Sequence, residues 1–402
     1  MLICTLVQLT FQLAAYAGTG DWWRQWPEDA GVLVDEPDSV WLQYLKFGGY
    51  AHMQAAVVDG ETAAGDFSYT RHSDWRRARG VVKARMLDAV DFNTQLNLVQ
   101  DEGRSGGGVE FDYFSVFSAD LTFDLAQWLD LGDTDSLKIS YGKRKLVELN
   151  EEIETSINSI LTVERSALAG LLAPFREGTG TTGGWMKMKR GEEQFSLGLF
   201  TTDSSAEFGG WDEGTVFLAG WRHDFAESWK LDEATVSVSA AWQDAGANDE
   251  LYSTWEWVVT PWMRLEHGRW GLRVSGALGQ NEDKLPGVEG TFGGIVIMPS
   301  LWLIEDHLQG VVRYEVIASE GPQGLTLPSR YAREAGLAGN EGIPALAAGV
   351  GDFHESVYTG LIWTIVPKRF TMLTGLEWER LESKDSRVYQ GLTGWFSARI
   401  VF

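Results

Sequence analysis

The chain is poor in what most enzymes and nucleic-acid binders need. Its one cysteine, Cys4, stands almost at the N-terminus, so no internal disulfide framework and no C-x-x-C metal site can form. The histidines (52, 72, 223, 267, 307 and 354) are scattered, and none belongs to an H-E-x-x-H pair. There is no G-x-S-x-G elbow and no phosphate-binding loop. Cations are outnumbered, 33 Lys and Arg against 57 Asp and Glu, for a formal net charge of −24. Nucleic-acid phosphates would be repelled by such a surface. Beyond the first twenty residues there is no apolar run of about 18, the length that marks a membrane-crossing helix. Nothing in the pattern calls for a metal or a cofactor.

What the chain has is alternation. Its last stretch, "GWFSARIVF", puts Phe396, Ala398, Ile400 and Phe402 on one side and Ser397, Arg399 and Val401 on the other. The same period of two sets Leu45, Phe47, Ala51 and Met53 against Lys46, Tyr50, His52 and Gln54. It recurs in 73–87, 90–101, 113–126 and 369–382, and predicts about sixteen strands, most long enough to cross a bilayer at a tilt. The connections sort by parity. Those at 88–89, 191–192, 267–268, 305–306 and 367–368 are short; those at 58–72, 102–112, 146–182, 204–214, 281–290 and 319–352 are long; 127–136 and 226–232 are intermediate. Short turns at one rim and long loops at the other are the habit of an outer-membrane barrel. The mean hydropathy of −0.16 fits, because only alternate residues of such a barrel meet lipid.

The fold expected is therefore all-β: a transmembrane antiparallel β-barrel over 45–402, with short periplasmic turns, long extracellular loops and its third long loop, 146–182, folded inward. Residues 1–17 read as a secretory leader ending in Ala15-Tyr16-Ala17, although no Lys or Arg precedes the apolar stretch. Residues 18–44 are either a periplasmic N-terminal segment or the start of the barrel. Trp255, Trp257, Trp270 and Trp378 are expected in the aromatic girdles. Phe402 is expected at the periplasmic rim, where it would also serve recognition by the outer-membrane assembly machinery.

A barrel this wide leaves a water-filled lumen whose selectivity comes from the charges lining it. Parity puts Arg77, Arg79, Lys83 and Arg85 on one lumen-facing row. Lys138, Lys143, Arg144 and Lys145 stand near the entrance of the long third loop, and Lys187 and Lys189 share a face on the strand after it. Asp91, Asp120, Asp124, Glu377 and Glu379 have the lumen-facing parity too, and could neutralise those cations. The third loop carries Glu148, Glu151, Glu152, Glu154, Glu164 and Glu177 against Arg165 and Arg176. These carboxylates would repel phosphate if they faced the lumen, but could equally face water or calcium, or pair with strand cations.

Three stretches, "FGGYAHMQ" followed by "RRARGVVKARMLDAVDFNTQLNL", then "LKISYGKRKLVELNEEIETS", then "LTVERSALAGLLAPFREGTGTTGGWM", together resemble the phosphate-selective porin O and P family over about 45–200. The resemblance implies a sixteen-stranded, usually trimeric barrel with an inward third loop. It makes the cations above an anion path, with Arg165 near the constriction. The expected function is passive diffusion of small hydrophilic solutes across a Gram-negative outer membrane, with mild preference for anions such as phosphate and no bond made or broken. Two rivals stay open. One is a soluble Trp-rich carbohydrate-binding or glycosidase β-fold, with Glu377 and Glu379 as its paired acids. The other is a structural barrel or adhesin with a plugged lumen.

Overall fold

The computed structural model describes residues 30–62, 65–69, 74–99, 112–132, 135–173, 180–246, 249–327, 349–384 and 386–402. The expected leader, Glu177 and Arg176 lie outside them. Alternating sequence builds strands β1 (Val32–Asp35), β2 (Leu42–Thr62), β3 (Gly65–Tyr69), β4 (Asp74–Met86), β5 (Val90–Asn97), β6 (Ser115–Asp124) and β7 (Ser136–Arg144). After the longest inward loop come β8 (Thr181–Arg190), β9 (Glu193–Thr201), β10 (Thr215–Asp224), β11 (Glu233–Asp244), β12 (Trp255–His267), β13 (Trp270–Asn281), β14 (Gly290–Ile304) and β15 (Leu308–Ser319). A small hairpin of β16 (Leu325–Thr326) and β17 (Val350–Gly351) precedes β18 (Phe353–Val366), β19 (Phe370–Ser383) and β20 (Ser386–Val401).

Eighteen of these strands form one antiparallel sheet. Two of them, β1 and β3, are short pieces beside the ends of the long β2. The other sixteen run round a closed cylinder, because β2 pairs with β4 on one side and with β20 on the other. Closure leaves each of those sixteen strands paired on both sides, as a bilayer interior requires. At the seam the Gly49 N–H donates to the Phe402 carbonyl at 2.7 Å, and the Phe402 N–H returns a bond to Gly49 at 2.9 Å. A Cβ on Gly49 would stand 2.8 Å from the Phe402 ring, so the ring lies across the bare backbone of that glycine. Expected strand limits are close to those observed, and the chain before 45 is partly barrel: β1 lies beside β2 and fills the wall next to Phe402.

The rows of Leu, Phe and Val do not meet across two stacked sheets, which removes the sandwich. They face outward. Phe47, Leu197, Phe217, Leu278, Ile297, Val312 and Leu392 are all exposed on the outer wall, an apolar belt far larger than a water-soluble surface carries. At the rim that holds β1 and Phe402 most turns are tight: 87–89, 191–192, 268–269, 305–307 and 367–369. Leu87 (φ 51°) and Asp88 (φ 59°) are both left-handed within the three-residue turn between Met86 and Val90. Trp41, Trp128, Trp229 and Trp270 stand exposed at this rim. The opposite rim carries the long connections, except between β19 and β20, where Ser383 already pairs with Ser386. Trp255 departs from the expected girdle. A bulge between Trp255 and Trp257 turns the first ring inward, fully buried, while Trp257 stays outside.

Inside the cylinder the core is one-sided. Leu146, Leu149, Ile153, Leu161, Val163, Leu168 and Leu172 of the third long loop pack on Phe200, Val216, Leu218, Val258, Phe292, Val296, Met298 and Tyr358 of the wall. The helical spacing of Ile153, Ile157, Ile160 and Leu161 yields only short turns, Glu151–Glu154 and, further on, Ala167–Leu172, because tertiary contacts rather than helix length bury those side chains.

Candidate functional site

The site is a cavity of about 340 Å³ between that loop and the arc of wall formed by β2, β4, β5, β6 and β7. Register decides what faces it. Arg79 lies opposite Tyr50 and Asn97, Lys83 opposite Lys46 and Asn93, and Arg85 opposite Tyr44 and Asp91, all on the inner row. Between His52 and Met53 the β2–β4 register slips by one residue. The extra residue is Arg76, and with it two successive side chains, Arg76 and Arg77, turn inward. Strict alternation would have sent Arg76 outward, and no period-two reading could find it.

Six cations line the cavity: Arg76, Arg77, Arg79, Arg144, Lys145 and Arg165. Arg79 donates to Tyr50 Oη at 2.5 Å and to Asn97 Oδ1 at 2.6 Å, and its guanidinium lies 3.3 Å from the centre of the Phe117 ring. That neutral setting holds the fork in place without cancelling its charge. Lys145 Nζ sits 5.2 Å from the same ring. Burial and the nearby guanidiniums of Arg165, Arg79, Arg77 and Arg76 push the Lys145 ammonium well below the ordinary lysine value. Arg165 crosses its own loop to the carbonyls of Glu152 (2.6 Å) and Thr155 (3.1 Å), and burial pulls it down to about 10. Asn93, Gln95 and Asn97 add neutral polar groups, and only Asp120 and Glu154 add carboxylates.

The loop's acids are spread round the lumen, and two of them, Glu164 and Glu148, meet cations of this cavity. Each described one is drawn to a wall cation. Glu148 meets Arg144 (3.0 Å) and Lys187 (2.9 Å); Glu151 meets Arg264 (2.8 Å) and Arg273 (3.2 Å); Glu152 meets Arg313 (3.5 Å); Glu154 meets Arg222; Glu164 meets Arg76 (2.7 Å) and Arg77 (3.1 Å). Burial alone would raise the Glu148 carboxyl, but Arg144 and Lys187 outweigh it and hold it at about 2.

Backbone contacts fasten the loop to the far wall. Arg399 donates to the carbonyls of Ile160 (2.8 Å), Thr162 (2.6 Å) and Val163 (3.2 Å). Arg313 donates to the Glu164 carbonyl (3.0 Å) and to Glu377 (2.6 Å). The Glu315 carboxylate accepts the N–H groups of Ala167 (3.1 Å) and Leu168 (2.6 Å). Glu377 is thus engaged by Arg313, and Glu379 faces His354 at 3.7 Å with both buried. The two acids lie beneath the loop, not in a cleft.

The remaining expected residues divide. Lys138 faces inward, 3.9 Å from both Asp91 and Asp124, and Lys189 faces inward opposite Ser136 and Gln194 near the short-turn rim. Arg144 and Lys187 are inward but share Glu148. Lys143 is a correction. It pairs in register with Ala119 on the outer parity, and its Nζ donates to the carbonyls of Ser205 (2.5 Å), Ala206 (3.1 Å) and Glu207 (2.6 Å). It pins the loop after β9 and lines no pore.

Solved structures with this architecture settle what kind of cylinder it is. The outer membrane channel DcaP of Acinetobacter baumannii superposes with a TM-score of 0.53 at 11% identity, over 89% of this chain and 97% of that one. OprB of Pseudomonas putida gives 0.53 at 8% identity, over 89% and 94%. An anion-selective porin from Comamonas acidovorans gives 0.52 at 9%, over 89% and 99%. The fold is that of an outer-membrane porin. No family model matches the chain, and neither does any curated protein, so the likeness is one of fold.

Proposed function

We propose that this chain is an integral outer-membrane pore for passive diffusion of small hydrophilic solutes, with a preference for anions such as phosphate. One observation carries the reading. Six cations line a cavity whose own lining holds two carboxylates, one paired with Arg222, with Glu164 on Arg76 and Arg77 and Glu148 on Arg144, although the chain as a whole is strongly acidic. Such an arc lowers the barrier for an anion while the inward loop sets the size limit. The anion selectivity that names the Comamonas porin agrees with it. Membership of the phosphate-selective porin O and P family, a cleaved leader over 1–17, a constriction loop over 146–182, a trimeric assembly and recognition of Phe402 during membrane insertion are parts of the same proposal. No bond-making chemistry is assigned to the lumen.

The test is planar-bilayer conductance of the purified protein with a salt gradient. Stepwise channels whose reversal potential favours chloride over potassium support the reading; a reversal potential favouring potassium overturns the anion preference. The dense packing of loop against wall favours one second reading, a structural barrel with a plugged lumen, and the absence of channel steps would select it.

A further inference from the structure

Glu164 differs from the other acids of the inward loop. Its backbone belongs to the packed side of the lumen, where its carbonyl accepts from Arg313 at 3.0 Å and from the Thr162 hydroxyl at 2.6 Å. Its carboxylate reaches the opposite, basic arc and sets one oxygen 2.7 Å from Arg76 Nε and the other 3.1 Å from Arg77 Nη2. The residue spans the space between two walls. Both guanidiniums also line the cavity, and Arg77 Nη1 is buried there with no hydrogen-bond partner. Two adjacent forks, brought to one face by the bulge at Arg76, match an anion that presents two acceptor oxygens at once. Glu164 already presents such a pair.

We infer that the Glu164 carboxylate is a built-in competitor for an oxyanion subsite at Arg76 and Arg77, and that it sets how tightly a passing phosphate or carboxylate is held there. The inference rests on the pore reading above. Its physical basis is that conduction needs a site that attracts an ion yet releases it. Two guanidiniums facing an anion alone would hold it too long. A tethered carboxylate at 2.7 Å and 3.1 Å weakens their pull on anything else, and does so from a fixed position because Arg313 holds its backbone. The chemistry recognised is that of a planar or tetrahedral oxyanion with two oxygens on one side. Chloride, which makes no fork, gains less from the pair.

The experiment measures chloride current through single channels while inorganic phosphate or acetate is added, in wild type, Glu164→Gln and Arg76→Gln. Glu164→Gln keeps the shape and removes the charge. It is expected to lower the phosphate and acetate concentrations for half-block about three- to tenfold, and to shift chloride conductance less. Arg76→Gln is expected to raise both half-block concentrations. The opposite signs matter. If Glu164 were only a staple between loop and wall, removing either end would loosen the same contact and the two variants would move together. That result, or an unchanged half-block in Glu164→Gln channels of normal conductance, overturns the inference. Should Glu164→Gln fail to insert, Glu164→Asp, one methylene too short to reach both forks, is expected to give a smaller shift of the same sign, and no shift overturns it. Wild type without channel steps would sink the pore reading itself, and so is distinguishable. Phosphate blocking better than acetate identifies a phosphate subsite; the reverse identifies a carboxylate one.

Discussion

The inner wall of this barrel has two unlike arcs. From β8 round to β20 it is lined by Phe200, Val216, Val258, Phe292, Met298 and Tyr358, with Arg264, Arg313 and Arg399 set among them, and the inward loop packs on these residues. From β2 to β7 it is lined by arginine, lysine, asparagine and glutamine, and faces a cavity. Arginine is abundant on both arcs and does different things on each. On the packed arc each guanidinium is consumed by a loop carboxylate or by loop carbonyls. On the open arc Arg79 is held by Tyr50, Asn97 and a phenyl face, partners that carry no charge. Charge that is matched builds structure, and in the proposed pore charge left in excess is what a passing ion would meet.

This contrast is broken hardest at Arg313. It is about 2% exposed and joins Glu152, Glu377 and the Glu164 carbonyl. Arg313→Ala leaves two buried carboxylates without their cation, a loss on the order of 3–5 kcal/mol. The temperature at which the detergent-solubilised barrel loses its fast gel mobility should fall markedly, and single-channel current should become noisy as the loop works loose. An unchanged midpoint would mean that the loop does not depend on the packed arc's ions.

Leu168→Ala tests the apolar half of the same adhesion. Leu168 is fully buried between loop and wall, and its truncation should cost about 2–5 kcal/mol by the same melting assay. On the open arc the opposite pattern is expected. Arg77→Gln combined with Arg79→Gln should move the reversal potential toward cations while lowering the melting midpoint less than Arg313→Ala does. A large loss of stability with unchanged selectivity would erase the distinction between the arcs.

The smallest effect is set by pH. Glu148 stands where the arcs meet and ties the start of the loop to Arg144 and Lys187. Its carboxyl is held at about 2, below the ordinary 4.5. The stabilisation it provides is therefore complete above about pH 4.5 and drains away as pH falls toward 2. Melting midpoints measured at descending pH should decline within that window, and Glu148→Gln should flatten the decline. A decline of the same size in Glu148→Gln would assign it to other carboxylates.

Much of the cylinder could be read by twos. Phe47, Phe217 and Leu392 face outward and Tyr50, Arg79 and Glu377 inward because a strand has only two faces, and water and hydrocarbon sort them without reference to any neighbour. Where the count slips, the reading slips with it. Arg76 turns inward and Trp255 leaves the girdle at bulges that no alternation reveals. Lys143 shares the outer parity of the exposed Tyr141 and goes to a loop distant in sequence. The apolar inner rows, Val216, Leu218, Val258 and Val296, were invisible for another reason: an apolar residue on the lumen side has meaning only once something is known to cover it.

Alternation and loop parity, local properties of the chain, determined by themselves that this protein is a closed antiparallel cylinder with a greasy exterior. They also determined that a row of cations looks into it. Which cations remain in excess was decided only by tertiary structure. The acidic loop 146–182, described here to Ala173, could have faced the lumen, the water outside or the wall. It lies on the wall because its leucines and isoleucines bury there, and that burial carries Glu151, Glu152 and Glu154 onto arginines far away in the sequence.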